Sequence, residues 1–181
     1  MAIKFKLAPP DCHQTRRVGR NLDFPVYYFR FIVENFGKTQ ADGCEVFLES
    51  VFKENSAGEM VKNKKFTPVN LKWSGIRDPY IRIIQPGKNM YCDLGRIQHP
   101  DDNFLTVYKG FSKSEIDSNK FILEFPERYY SQQDCLTPGK YKIGVSVYSN
   151  NAEKVSRQFL LSWTGEWKDK KEDMFSELVI N

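Results

Sequence analysis

The chain has 181 residues and a formal net charge of +4, with 40% hydrophobic and 28% charged residues, a length that suits one domain with a core of its own and needs no disulfide staples. No run approaches the ~20 consecutive apolar residues of a membrane span, and the N-terminus, MAIKFKLAPPDC, lacks the apolar stretch of a signal peptide. The excess charge is local: Lys4, Lys6, Arg16, Arg17 and Arg20 meet only Asp11 at the start of the chain and the remainder is balanced, which excludes a protein clothed in basic surface.

Read as it stands, the chain is expected to be soluble and cytoplasmic, with its thiols reduced. Cys12, Cys44, Cys92 and Cys135 are widely spaced and no C-x-x-C occurs. The 14 Phe, 9 Tyr and 3 Trp favour pleated, half-buried surfaces. In chain order, residues 2–7 (AIKFKL) alternate as a first strand, which Pro9 and Pro10 are expected to end. Residues 8–24 are polar, basic and aperiodic and read as a basic loop. Residues 25–52 then carry two long alternating runs around a turn at Asn35, Phe36, Gly37 and Lys38. Tyr27, Phe29, Phe31 and Val33 make one apolar stripe; Cys44, Val46, Leu48 and Phe52 make the second. This reads as a hairpin-like unit with one face for a core.

Residues 54–65 read as a loop, 69–73 (VNLKW) as a short strand and 80–84 as another. Gln85-Pro86-Gly87-Lys88 predicts a type II turn, with proline setting φ at its second position and glycine supplying positive φ at its third. Residues 90–96 resume strand character. Ser112-Lys113-Ser114-Glu115 fits a capping box that would start one helical turn, and Phe121, Leu123 and Phe125 share a parity. Pro138-Gly139-Lys140 repeats the turn chemistry before the cleanest strand, Tyr141, Ile143, Val145 and Val147, whose partner carries Phe159, Leu161 and Trp163. In the tail, 164–181, DMFSELVI suits a short helix or a last edge strand equally. About ten short strands with no long helical period predict an antiparallel sandwich. Phe29, Phe31, Val33, Val46 and Leu48 are expected to share its core with Tyr141, Ile143, Val145, Phe159 and Leu161.

Val33-Glu34-Asn35-Phe36-Gly37-Lys38 followed by Ala41 resembles the strand–turn phrase V-x-N-x-G-x-x-x-A of CARDB-like domains. The two Pro-Gly turns, and the placing of Tyr141 after Leu136-Thr137-Pro138-Gly139-Lys140, resemble immunoglobulin-like modules of the CARDB and fibronectin type III kind. The resemblance implies an all-β, immunoglobulin-like antiparallel sandwich in a single domain, 1–181, with one short helix. It also implies that the Tyr141 hydroxyl bonds back to the backbone and that the role is non-catalytic. The sequence departs from such modules in lacking their inter-sheet cysteine pair and in an enlarged, insertion-like segment at 97–135.

Chemistry-bearing patterns are sparse. His13 and His99 are the two histidines, and no nucleophile elbow, zinc-protease, P-loop or dinucleotide motif occurs. Metal ligands could be drawn from Cys12 and His13, or from His99, Asp101 and Asp102, but neither set has the spacing of a closed site. No cofactor is expected. Arg16, Arg17 and Arg20 could touch phosphates or an acidic protein, yet no aromatics are interleaved for base stacking, so nucleic acid is disfavoured. Trp73 and Trp167 form the remaining candidate surface, an aromatic platform for sugar rings or a partner's apolar anchor; the plainer reading has them covering the open end of the sandwich. The expected role is a protein-interaction or accessory module. A carbohydrate-binding module is the alternative, and a metal-dependent hydrolase on a β scaffold is the weaker one.

Overall fold

A computed structural model describes residues 5–19, 22–75, 81–99, 120–126 and 134–181, with the backbone alone for 5–19, 22–25, 81 and 82. Two antiparallel sheets face each other across one apolar core, and the all-β sandwich is as expected. In the first sheet, β1 (Phe5–Gly19) pairs with β2 (Leu22–Asn35) and β2 with β8 (Lys88–Gln98). The other side of β8 meets β6 (Lys72–Trp73) and β9 (Phe121–Leu123), and β9 meets β10 (Cys135–Leu136). In the second sheet, β3 (Ala41–Glu54) pairs with β11 (Gly139–Ser149), β11 with β12 (Ala152–Trp163) and β12 with β13 (Leu178–Ile180). The strands β4 (Met60–Lys62), β5 (Val69–Asn70) and β7 (Ile81–Ile84) line the far side of β3. Among the described residues there is one helix, α1 (Lys171–Glu177), which precedes β13. Among the described residues no helix is long and apolar enough to cross a membrane.

All ten residues expected in the core are buried in it, and Phe31 of β2 meets Phe159 of β12 across the sandwich, ring centroids 4.8 Å apart. Of the two apolar stripes read at 25–52, only Phe52 is not buried. Gly144 pairs with Ser50 and Val145 with Leu48, so Glu49 is an extra residue in β3. A bulge of one residue flips every later side chain to the opposite face. Val51 is therefore buried, while Phe52 lies outside beneath the Lys142 ammonium, 4.6 Å from its ring centroid. A second bulge sits at Leu94, between the pairs Phe29–Gly95 and Arg30–Asp93. Beside it, Gly95 lets another strand come close: a Cβ there would lie 2.5 Å from the Ile122 carbonyl oxygen and from the Phe121 ring.

Two expected units change character. β2 and β3 do not form a hairpin; they belong to different sheets, and the turn after Asn35 is a crossing between them. Likewise residues 69–73 are not one strand. β5 pairs with β3, β6 pairs with β8, and the chain changes sheets at fully buried Leu71. The basic loop read at 8–24 is also corrected, since β1 runs through it and pairs with β2 as far as Gly19 opposite Leu22. Pro9 and Pro10 do not end the strand because they fall where the register shifts, between Ala8 and Asp11, and because β1 is at the edge of the sheet among the described residues, where missing donors are tolerated. Most of the 97–135 segment lies outside the described residues, as does the capping box at Ser112; its described parts include β9 and the end of β8.

The crossing is pinned by Asn35, which is fully buried. Its amide nitrogen donates to the Thr39 carbonyl at 2.9 Å and the Ile84 carbonyl at 2.8 Å, and its side-chain oxygen accepts from the Gly37 amide at 3.1 Å. Its own carbonyl accepts from the Gly87 amide at 2.6 Å. The expected type II turn is there, with Gly87 at φ 67° and the Lys88 amide donating to the Gln85 carbonyl at 3.1 Å. The Tyr141 hydroxyl donates to the Thr137 carbonyl at 2.8 Å, the backbone bond expected of that tyrosine.

Val51→Ala is expected to destabilise by about 2 kcal/mol and Phe52→Ala by less than about half of that, the reverse of their ranking by size; urea unfolding of the two variants reads the difference. Asn35→Ala leaves two carbonyls and an amide without their partner and is expected to cost about 3 kcal/mol, seen as a lower unfolding midpoint with an unchanged slope.

Candidate functional site

The tryptophans separate. Trp73 packs in β6 opposite Cys92 and is fully buried, so it forms no part of a surface. Trp163 ends β12 in the core, and Gly165, at φ 93°, turns the chain out of the sheet. Trp167 is then laid over the open end of the sandwich. Its ring lies 4.8 Å from that of Tyr27 and 5.1 Å from that of His99. The indole N–H donates to the Asp169 carboxylate at 2.9 Å, and the Tyr27 hydroxyl donates to the Asp169 carbonyl at 2.6 Å. The return of the tail is held by the Thr164 amide donating to the Glu177 carbonyl at 3.0 Å. DMFSELVI proves to be both of its alternatives: helix through Glu177, with Met174 buried, then the edge strand β13 beside β12.

The outer face of the first sheet carries a cleft of about 570 Å³ lined by Tyr28, Arg30, Lys72, Ser74, Tyr91 and Asp93, with Gly75, Asn89 and Met90. Register explains its charges. Asp11 of β1 is opposite Arg30 of β2, Arg30 is opposite Asp93 of β8, and Asp93 is opposite Lys72 of β6. Opposite charges thus alternate across four strands, the arrangement that stabilises neighbouring strands by about 0.2–1 kcal/mol a pair. The Arg30 guanidinium also lies 4.4 Å from the centroid of the Tyr91 ring, and Ser74 donates its hydroxyl to Asp93, which is 6% exposed, at 2.5 Å. Farther along β8, Arg96 forms a buried ion pair with Glu124. The cleft offers polar contacts in a row already balanced in charge. The Ser74 hydroxyl is committed to the Asp93 carboxylate, whereas a serine nucleophile is activated by a base that accepts its proton.

A second polar cluster lies on the outer face of the second sheet, where the Glu49 carboxylate accepts from the Tyr148 hydroxyl at 2.7 Å and the Lys154 ammonium at 3.0 Å. Burial pushes the Glu49 carboxyl up, but the bonds from Tyr148, Lys154 and Ser146 outweigh it and hold the group below the ordinary glutamate value. Among the described residues no three of His, Cys, Asp and Glu converge as metal ligands; Asp101 and Asp102 lie outside them, and Cys12 and His13 are described in backbone alone. Cys44, Cys92 and Cys135 are free thiols. Burial pushes Cys44 up to about 11 and Cys92 well above the usual range, which makes both poor nucleophiles.

Arg16 and Arg17 are on β1, opposite Pro25 and Phe24 of β2; Arg20 lies outside the described residues. Pairing of β2 with β8 stops at Val26 opposite Gln98, whereas pairing of β1 with β2 continues to Gly19. Among the described residues the arginines therefore stand where the sheet has two strands, and no strand pairs with the outer side of β1. Sequence reasoning found these arginines by charge, but their place on an edge strand was hidden because β1 lacks apolar alternation. No protein-family model matches the sequence, and no curated protein matches it.

Trp167→Ala is expected to lower stability by about 2 kcal/mol, since it uncovers Tyr27 and His99, and Trp167→Phe by about half as much, since the ring packing survives and the bond to Asp169 does not; thermal unfolding ranks the two. Glu49→Gln should be less stable than the parent at neutral pH by under ~1 kcal/mol, as befits a mostly solvated cluster. Because the folded carboxyl is lowered, its contribution is present above the ordinary glutamate value and is lost as pH falls through the folded one. The gap between the two proteins should therefore close in acid, read from unfolding midpoints across a pH series.

Proposed function

We propose that the protein is a non-enzymatic interaction or accessory module that binds another protein through the edge of its first sheet. The observation that carries this reading is β1, a strand of 15 residues whose outer side meets no other strand among the described residues. An edge of that length exposes backbone donors and acceptors that a second chain can pair with, and natural sheets otherwise blunt such edges. The immunoglobulin-like identity belongs to this proposal, supported by the Asn35 turn and by the Tyr141 hydroxyl bond to Thr137. A cytoplasmic setting is consistent with the free thiols of Cys44, Cys92 and Cys135. Burial of Trp73 in the core and the packing of Trp167 against Tyr27 and His99 weigh against the carbohydrate alternative.

Tagged protein expressed in its source cells and cross-linked before purification should retain the same protein partner in replicate experiments. A variant carrying Val18→Pro, which removes a backbone donor from β1, should lose that partner while keeping the parent's thermal unfolding. Binding to a glycan array together with an empty cross-linking result would overturn the reading.

A further inference from the structure

We infer that the part of β1 from Asp11 to Gly19 is the docking edge, and that its occupant is an extended acidic segment of a partner protein, added to the sheet as a strand. This rests on the reading just proposed and names its segment and chemistry. The first half of β1 is poorly suited to strand addition. Pro9 and Pro10 have no N–H groups and sit where the register shifts between Ala8 and Asp11, so a continuous ladder cannot cross them. Beyond them the backbone is extended from Asp11 to Gly19 with unbroken pairing to β2, about 30 Å of edge at ~3.4 Å per residue.

Charge selects the occupant. The whole net charge of the protein resides in the segment that contains β1, and the lower half of the strand holds Arg16 and Arg17 against Asp11. Asp11 is opposite Arg30 in the alternating row of the sheet, whereas Arg16 and Arg17 are opposite Pro25 and Phe24, which carry no charge. Consecutive strand positions take opposite faces, so an added strand would meet one arginine on each face, and acidic residues at either parity would find an opposite charge across the ladder. The backbone edge distinguishes protein from nucleic acid. A nucleic acid can use the two arginines but has no peptide ladder to pair with β1, and so few phosphate contacts give it only weak, salt-sensitive binding.

The test is fluorescence anisotropy with a labelled peptide of alternating Glu and Thr, a Lys-Thr peptide of equal length and a short DNA duplex, at low and at moderate salt. The expected result is saturable binding of the Glu-Thr peptide, weakened about tenfold by Arg16→Glu/Arg17→Glu, with the Lys-Thr peptide unbound; the glutamates share one face, and replacing the attractive charge pair on that face by a repulsive one accounts for that factor. Arg16→Gln/Arg17→Gln removes the charges without reversing them and decides the matter if the reversal variant unfolds; it should weaken binding in the same direction. Three results overturn the inference: no binding of the Glu-Thr peptide, equal binding by parent and both variants, or tighter binding of the duplex with the same dependence on the arginines. The first two leave the cross-linking result above standing, so failure of the docking edge is distinguishable from failure of the interaction reading.

Discussion

The sandwich depends on one buried side chain at one end of its core. Asn35 closes β2 at the point where the chain leaves the first sheet for the second, and it bonds to the carbonyl of Ile84, the last residue of β7, where the chain prepares to return. Through its own carbonyl it also holds Gly87 in the turn that carries the chain back into β8. Two crossings in opposite directions are thus tied to a single amide. A buried amide with each of these bonds made is stabilising and directional, and one with any of them missing is costly. An apolar residue of similar size would fill the space and leave Thr39, Ile84 and Gly37 without partners, so the position selects for a side chain with two donors and an acceptor.

From that anchor the two bulges decide which residues turn away from the core. Glu49 and Leu94 are each one residue too many for their ladders. The first turns Phe52 outward and Val51 inward, and leaves Glu49 beside Tyr148 and Lys154. The second brings Asp93 and Arg96 to the outer face opposite Arg30 and Tyr28, where charged side chains complete the rows of the sheet. The cleft around Arg30, Tyr91 and Asp93 follows from the spacing of β8 as much as from its composition.

These same features mark how far the sequence could be read. Strict alternation made the core legible in Phe29, Phe31 and Val33 and in Tyr141, Ile143 and Val145, because burial of one face imposes period two. Gly87 was legible through turn chemistry, and the Tyr141 hydroxyl bond through the resemblance of its corner to immunoglobulin-like modules. A bulge leaves no comparable mark: nothing in CEVFLESVF says that Glu49 is surplus, since Gly144 and Val145 of a distant strand determine it. The exchange of partners at Leu71 is hidden for the same reason; VNLKW alternates smoothly while its hydrogen bonds pass from one sheet to the other. The tail resisted because helix and edge strand are each too short to establish a period, and both are present. The candidate site was half legible: Arg16 and Arg17 stood out by charge, but the strand that carries them is polar, and its identity comes from β2.

The distribution of order argues for where recognition belongs. Trp167, Tyr27 and Asp169 close one end of the sandwich and Asn35 closes the other, while β13 covers the last residues of β12 at the edge of the second sheet. Each of these closures consumes polar groups and apolar surface that a partner would otherwise use. The first sheet is finished differently: its outer face carries paired charges, and two prolines blunt one end of its β1 edge. On the reading proposed above, two prolines on one half of the edge and two arginines on the other limit strand addition to a short, charged register. In that arrangement backbone pairing supplies the affinity and charge supplies the selectivity.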